Sequence, residues 1–321
     1  MEQPFLFKYK PTKLNDFEIH NELLELLESL INNGLLNILI CANSGCGKTS
    51  LINTIIKTYY NNENYSKNDI LVINSLKDQG ISYYRYDVKI FCQTMSSIPN
   101  KKKFIILDDL DNINEQSQQV FRNYIDKYSN NVNFIASCSN LQKVIDSYQS
   151  RVIMIKIPPL QNNQLNNIIN KIILRENILI EDKAKDFILK ICNNSIRTLI
   201  SYLEKFKLLD EYVSYDTALN TCTNISFKDF NNYINYCVNN KLLESIDLIN
   251  SIYNRGYSVI DILDNFYLFV KTTEIICEEQ KYGIIKLICD YIIIFYNIHE
   301  DEIELSLFTN NLIEYFKKNK L

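Results

Sequence analysis

Ile38-Leu39-Ile40-Cys41-Ala42-Asn43-Ser44-Gly45-Cys46-Gly47-Lys48-Thr49-Ser50 is the stretch that decides how the rest of the chain is read. The apolar run reads as a buried strand, the small residues as a loop, and Gly-Lys-Thr as the opening of a helix. That order is the G-x-x-x-x-G-K-[ST] layout of a phosphate-binding loop. Backbone N–H groups of such a loop curl around phosphate oxygens, and the next helix points its positive end at the same oxygens. Lys48 adds a full charge, and the Thr49 hydroxyl suits a magnesium ion. Ala42 stands where the first glycine of the pattern belongs. Residues 42–50 are therefore the candidate nucleotide contacts. The bland alternative is an ordinary strand-to-helix turn that carries an exposed lysine.

Composition sets the outer bounds. A chain of 321 residues is long enough for about two or three domains. Its 46% hydrophobic and 22% charged content is that of a globular protein. The net charge of −4 means that any nucleic-acid contact has to come from a local patch. The nine cysteines are scattered without a C-x-x-C pair, and the only histidines are His20 and His299, which argues against a zinc site. An odd cysteine count without a signal peptide points to reduced thiols in an intracellular compartment. No apolar run reaches the roughly 18–20 residues of a membrane span. The nearest, from Ile284 to Phe295, is broken by Lys286 and Asp290 and reads as a buried helix, so no membrane partner is expected. The abundance of Asn, Ile, Lys and Tyr reflects an AT-rich coding bias, in the style of a large DNA virus or an AT-rich microbe.

The first half alternates strand and helix patterns. Strands are expected near 37–41, 70–74, 104–107, 133–137 and 153–157, with helices near 23–31, 48–59, 82–91 and 116–128. The continuous run Phe104-Ile105-Ile106-Leu107 fits a strand covered on both faces. Such alternation predicts a parallel sheet between helical layers, with ligands beyond the C-terminal strand ends. After Pro158-Pro159 the pattern is helical only: three helices near 165–174, 184–192 and 195–208, a polar linker near 214–224, then helices near 227–239, 242–253, 259–272, 282–296 and 303–316. Leu242, Ile246, Ile249 and Tyr253 are expected on one helical face. The fold class is α/β, with a P-loop parallel-sheet domain at 1–158, a helical lid at 159–222 and an all-α domain at 223–321.

Asp108-Asp109-Leu110-Asp111 follows the 104–107 strand. Acids at the end of a buried strand downstream of a P-loop fit a Walker B element. Asp108 would position magnesium, and Asp109 would orient and deprotonate the attacking water. The competing reading is an exposed turn with acids at a helix N-terminus.

At this point several segments, in order, resemble the small subunits of replication factor C, the AAA+ clamp loaders. Pro4-Phe5-Leu6-Phe7-Lys8-Tyr9-Lys10-Pro11 resembles the family's W-x-x-K-Y-R-P opening. The segment from Asn74 to Ile81 is similar to N-A-S-D-E-R-G-I, and Asp108–Asp111 stands at D-E-A-D. Gln118 and Arg122 match the A-Q-x-A-L-R-R helix. Phe134-Ile135-Ala136-Ser137-Cys138-Ser139-Asn140, through Lys143 to Gln149-Ser150-Arg151, parallels F-I-L-S-C-N-Y-S-S-K-I-I-E-P-I-Q-S-R-C without a gap.

The resemblance implies roles residue by residue. Tyr9 and Pro11 belong to the segment over the adenine of ATP. Lys48 and Thr49 hold phosphate and Mg²⁺, Asp108 is the metal residue, and Asp109 stands at the glutamate position. Ser139 occupies the sensor 1 site. Arg151 is the arginine that reaches the γ-phosphate of a neighbouring subunit, and Arg197 is the sensor 2 arginine. Read without the family, either arginine is a surface ion pair. Arg85 and Lys143 match DNA-backbone contacts, against the alternative of solvated charges. Gln79 stands where another basic residue is usual. Residues 82–95 with the loop after them would face the clamp, and the bundle from about Phe227 would form the collar.

The departures carry weight. Ala42 replaces glycine, Asp109 replaces glutamate, Ser139 replaces asparagine and Val152 replaces the motif cysteine. Aspartate is one methylene shorter than glutamate, and general-base catalysis depends on reach, so hydrolysis in cis is expected to be slow or absent. The expected function is that of an ATP-dependent subunit in a hetero-oligomeric loader, a pentamer in the family, that opens a sliding clamp onto primer-template DNA. It would work in the nucleus or, for a viral protein, at the replication site in the host cell. The rivals are a hydrolysis-deficient structural subunit of the same loader and another AAA+ DNA-remodelling ATPase.

Overall fold

The computed structural model describes residues 3–61, 67–74, 80–273, 275–295 and 299–318. The chain packs as two compact units, Met1–Arg175 with Asn194–Glu204, and Glu176–Asn193 with Lys205–Leu321. The elements run α1 (Phe5–Lys8), α2 (Asn21–Asn32), β1 (Ile38–Cys41), α3 (Lys48–Tyr59), β2 (Ile70–Asn74), α4 (Ile81–Gln93), β3 (Lys103–Asp108), α5 (Glu115–Tyr128), β4 (Val132–Cys138), α6 (Asp146–Gln149) and β5 (Ile153–Lys156). Helices alone follow: α7 (Asn162–Glu176), α8 (Asp182–Ile191), α9 (Ile196–Leu209), α10 (Tyr215–Cys222), α11 (Phe227–Val238), α12 (Leu242–Tyr253), α13 (Val259–Thr272), α14 (Glu278–Phe295) and α15 (Glu302–Lys318).

The first unit is built on a sheet of order β2-β3-β4-β1-β5, every pair parallel. Alternation within β3 explains its unbroken apolar run. Phe104 and Ile106 enter one core with Leu51, Ile52 and Ile55 of α3. Ile105 and Leu107 enter the other with Tyr84 and Val88 of α4 and Phe121 of α5. A parallel strand between two helical layers has no wet face, so it carries no polar alternation. The edge strands β2 and β5 are covered less and tolerate exposed Val72 and Met154. The sheet places the ends of β1, β3 and β4 side by side: Cys41 is the register partner of Cys138, and β3 runs beside β4.

In the second unit an aromatic cluster fills the bundle. Phe230, Phe266 and Phe269 pack against one another, with Phe227 and Phe308 at its margins. The buried Tyr233 hydroxyl meets the Thr309 hydroxyl at 2.9 Å, which satisfies both.

One expectation is corrected here. The segment expected to be a polar linker contains α10. Ser214 caps it by accepting from the Thr217 N–H, and Ala218 and Cys222 are buried. The Ser/Thr/Asn content that suggested a loop includes the cap itself. On α12 the face that carries Leu242, Ile246, Ile249 and Tyr253 grades from Leu242, 37% exposed, to buried Ile249, with Ser245 and Ile252 buried beside it. A buried serine is invisible to an apolar-periodicity reading; here its hydroxyl bonds the Lys241 carbonyl at 2.7 Å. Of the 74–81 motif, residues 75–79, including Gln79, lie outside the described residues.

Candidate nucleotide-binding site

The loop between β1 and α3 turns on two glycines. Gly45 (φ +77°) and Gly47 (φ +87°) occupy the left-handed region that L side chains avoid. A Cβ on Gly45 would also collide with the Ser195 Oγ at the start of α9. Ala42 has no positive φ, so a methyl group fits where the pattern has glycine. Its N–H donates to the Cys138 carbonyl at 3.2 Å, which stitches the loop to the end of β4.

Lys48 is buried, and its ammonium donates to the Ala42 carbonyl at 2.9 Å and to the Ser139 hydroxyl at 2.6 Å. This positive charge is held by neutral dipoles, with no carboxylate closing on it among the described ion pairs. Buried cations are costly unless paired, so the arrangement suits an anion. Thr49 Oγ1 lies 3.3 and 3.2 Å from the two Asp108 oxygens. A hydroxyl and a carboxylate so placed are the hard oxygen donors that magnesium prefers.

Ser137, fully buried in β4, organises the acidic side. Its hydroxyl donates to Asp108 Oδ1 at 2.7 Å and accepts from the Asp109 N–H at 3.0 Å. Asp109 itself sits at φ +53°. Burial holds its carboxyl above the usual range, with Asp108 and Asp111 adding to the effect and Lys48 and Arg197 opposing it. Asp111 accepts from the backbone N–H groups of Ser139 and Asn140 at 3.2 and 3.0 Å, which fixes the loop that presents Ser139 to Lys48.

Buried Gln118 of α5 ties these loops together. Its amide donates to the carbonyls of Leu110, Ile113 and Lys143 and accepts from the Ile145 N–H. Tyr124, two turns on, donates to the carbonyls of Tyr84 and Arg85 on α4. The side chains of Arg85 and Lys143 are exposed, while their backbones are pinned to α5.

The structure brings together residues 42–50, Asp108, Asp109 and Ser139. Asn194 lies beside them through a 3.9 Å contact from the Cys46 Sγ to its carbonyl, and Arg197 is exposed on the first turn of α9. The N-terminal segment is anchored nearby: the Phe5 N–H donates to Glu204 of α9, and the Pro11 carbonyl accepts from Thr54 of α3. Tyr9, the C-cap of α1, lies between those anchors. Arg151 stands apart from this group. Its guanidinium bonds Asp126 at 2.8 Å and the Ser147 carbonyl at 2.7 Å. Sequence reasoning missed Ser137 and Asp111 as site residues; the signal for Ser137 was a hydroxyl at the end of a largely apolar strand, which must find partners when buried.

Residues 38–158 match the family described as "ATPase family associated with various cellular activities (AAA)", and residues 225–292 match the replication factor C C-terminal domain. Replication factor C subunit 3 of Schizosaccharomyces pombe is 26% identical over 262 residues, which cover 81% of this chain and 76% of that protein. The replication factor C small subunit of Methanococcus maripaludis is 26% identical over 298 residues, 92% of this chain and 94% of its own. The chain is similar to replication factor C subunits over most of its length. Human replication factor C subunit 5 is also 26% identical, over 83% of this chain and 79% of that protein. Among solved structures, Thermotoga maritima RuvB, titled a Holliday junction branch migration motor, shares the fold at TM-score 0.50 and 17% identity, over 66% of this chain and 72% of its own. The replication factor C C-terminal match falls on α11 to α14, within the second unit.

Proposed function

We propose that this chain is an ATP-binding subunit of a clamp loader, the multisubunit machine that opens a ring-shaped sliding clamp and sets it on primer-template DNA. The observation that carries the reading is the buried Lys48 ammonium, held by a carbonyl and a hydroxyl at the mouth of a loop with two left-handed glycines. In it, 1–158 binds nucleotide, 159–222 serves as lid and 223–321 joins the subunits as a collar.

In this reading Lys48 and the N–H groups of residues 43–49 hold the triphosphate of ATP, and Tyr9 and Pro11 flank its base. Thr49 and Asp108 hold Mg²⁺, and the fit rests on their two oxygen donors lying 3.2 Å apart. Bound there, the ion neutralises phosphate charge. Asp109 accepts a proton from the attacking water, Ser139 orients that water, and Arg197 faces the phosphates from α9. Arg151 extends to the nucleotide of the next subunit as an arginine finger. Arg85 and Lys143 contact DNA phosphates, a geometry-reading contact that needs no net positive charge on the chain. The chain works at the cell's or virus's site of DNA replication.

A second reading, that the subunit binds ATP and leaves hydrolysis to its neighbours, is favoured by one observation. Asp109 has a short side chain and a carboxyl whose charge is disfavoured by burial. Co-purification from the native source separates these proposals from an unrelated AAA+ role. Recovery of a sliding clamp and sister subunits supports the loader; recovery of neither removes it.

A further inference from the structure

Two thiols meet at the base of the site. Cys41 of β1 and Cys138 of β4 are register partners, and their sulfur atoms lie 3.3 Å apart. On its other side Cys41 is paired with Lys156 of β5. Each cysteine immediately precedes a residue that holds the Lys48 ammonium: Ala42 with its carbonyl, Ser139 with its hydroxyl. We propose that Cys41 and Cys138 form a reversible disulfide that turns off nucleotide binding at the loop above them.

The geometry allows the bond. Adjacent strands lie about 4.8 Å apart, within the roughly 4.4–6.8 Å Cα separation that a disulfide spans. The sulfurs have to approach by roughly 1.2 Å to reach a bond of about 2.05 Å. The two thiols also differ in kind. Cys41 is partly exposed, whereas Cys138 is fully buried. The hydrogen bond from the Cys138 S–H favours the Cys41 thiolate; burial opposes it, Lys156 and Lys48 assist, and Asp111 resists. The same hydrogen bond, with burial, keeps the Cys138 thiol protonated. Cys41 is thus the attacking sulfur and Cys138 the resolving one.

With a peroxide as oxidant the steps balance. The Cys41 thiolate attacks a peroxide oxygen; an S–O bond forms, the O–O bond breaks, and hydroxide leaves. The Cys138 sulfur then attacks the resulting sulfenic acid. The S–S bond forms as the S–O bond breaks, and the Cys138 proton leaves with the hydroxyl as water. Two electrons pass from the thiols to the peroxide. The effect on nucleotide rests on the phosphate-binding reading of the loop; the thiol chemistry does not. Closing the bond brings the two Cβ atoms to about 3.8 Å, roughly 1 Å nearer than a strand spacing of about 4.8 Å; that local shift moves the carbonyl and the hydroxyl that hold Lys48, and the phosphate cradle is expected to weaken roughly tenfold.

The test uses the full chain with its exposed thiols removed (C277S, C289S). After peroxide and non-reducing digestion, mass spectrometry is expected to find the Cys41 peptide joined to the Cys138 peptide, and dithiothreitol to separate them. Affinity for a fluorescent ATP analogue is expected to fall about tenfold on oxidation and to return on reduction. Adding Cys41→Ala is expected to leave the affinity unchanged before and after peroxide. A protein that binds the analogue yet never yields the joined peptide overturns the switch alone, as does equal affinity in the oxidised and reduced forms. Loss of affinity on oxidation in the Cys41→Ala background also overturns it. A reduced protein that forms the joined peptide but binds no analogue overturns the loop reading, and the switch with it.

Discussion

Ser137 Oγ lies 2.7 Å from Asp108 Oδ1, on a side chain with no exposure to solvent. The same oxygen takes the Asp109 N–H. One hydroxyl thus sets both consecutive acids at the end of β3. Ser137→Ala removes the donor to Asp108 Oδ1, which keeps only the Thr49 hydroxyl at 3.3 Å, and takes the acceptor from the half-buried Asp109 N–H; it is expected to lower the unfolding free energy by about 1–3 kcal/mol. Urea denaturation checks this, with Ser137→Thr as the conservative comparison. A variant as stable as wild type would show that the bond contributes nothing.

The raised carboxyl of Asp109 has a defined linkage sign. An acid whose folded pKa exceeds its unfolded value near 3.9 binds more protons when folded, so stability falls as pH rises through the window between those values. Asp109→Asn is therefore expected to be more stable than wild type at pH 7 and no more stable below about pH 3.9. Parallel denaturation series at several pH values read the difference. A gain that persists unchanged into acid contradicts the assignment.

Reach separates the two readings of hydrolysis. Asp109→Glu adds one methylene toward the water and is expected to raise ATP turnover with affinity unchanged, since proton transfer depends on hydrogen-bond distance. Steady-state kinetics on the assembled complex decide it, and a loss of turnover means that Asp109 already sits at the right distance.

Arg151 is expected to show its role only in company. Its pair with Asp126 is partly exposed, with side chains 27% and 44% accessible, and such pairs contribute about 0–1 kcal/mol. Arg151→Ala is expected to leave nucleotide binding by the isolated chain intact and to cut ATP turnover in the assembled loader by about 10³-fold or more. Equal turnover by mutant and wild-type assemblies removes the arginine from the mechanism.

Much of this was legible because strong local patterns and tertiary structure agree. The five strands were readable as short apolar runs, and Lys48, Thr49 and Asp108 follow from the Gly-rich turn after β1 and the acidic turn after β3, whereas Ser139 was reached through the family resemblance. What escaped reading depended on contacts distant in sequence. Ser137 meets Asp108 across 29 positions, and Asp111 meets Asn140 across 29, through strand pairing that spacing alone does not encode. α10 was missed because its polar residues serve both caps and loops. α1 and α6, of four residues each, are too short to show a helical period.

The most direct measurement is calorimetric titration of the full chain with Mg·ATP, alongside Lys48→Ala. Wild type is expected to bind at one site per chain. The variant, deprived of a charged donor worth about 1.5–3 kcal/mol, is expected to bind about tenfold to a hundredfold more weakly. A wild-type chain that binds no nucleotide, or a variant that binds it equally well, contradicts the account.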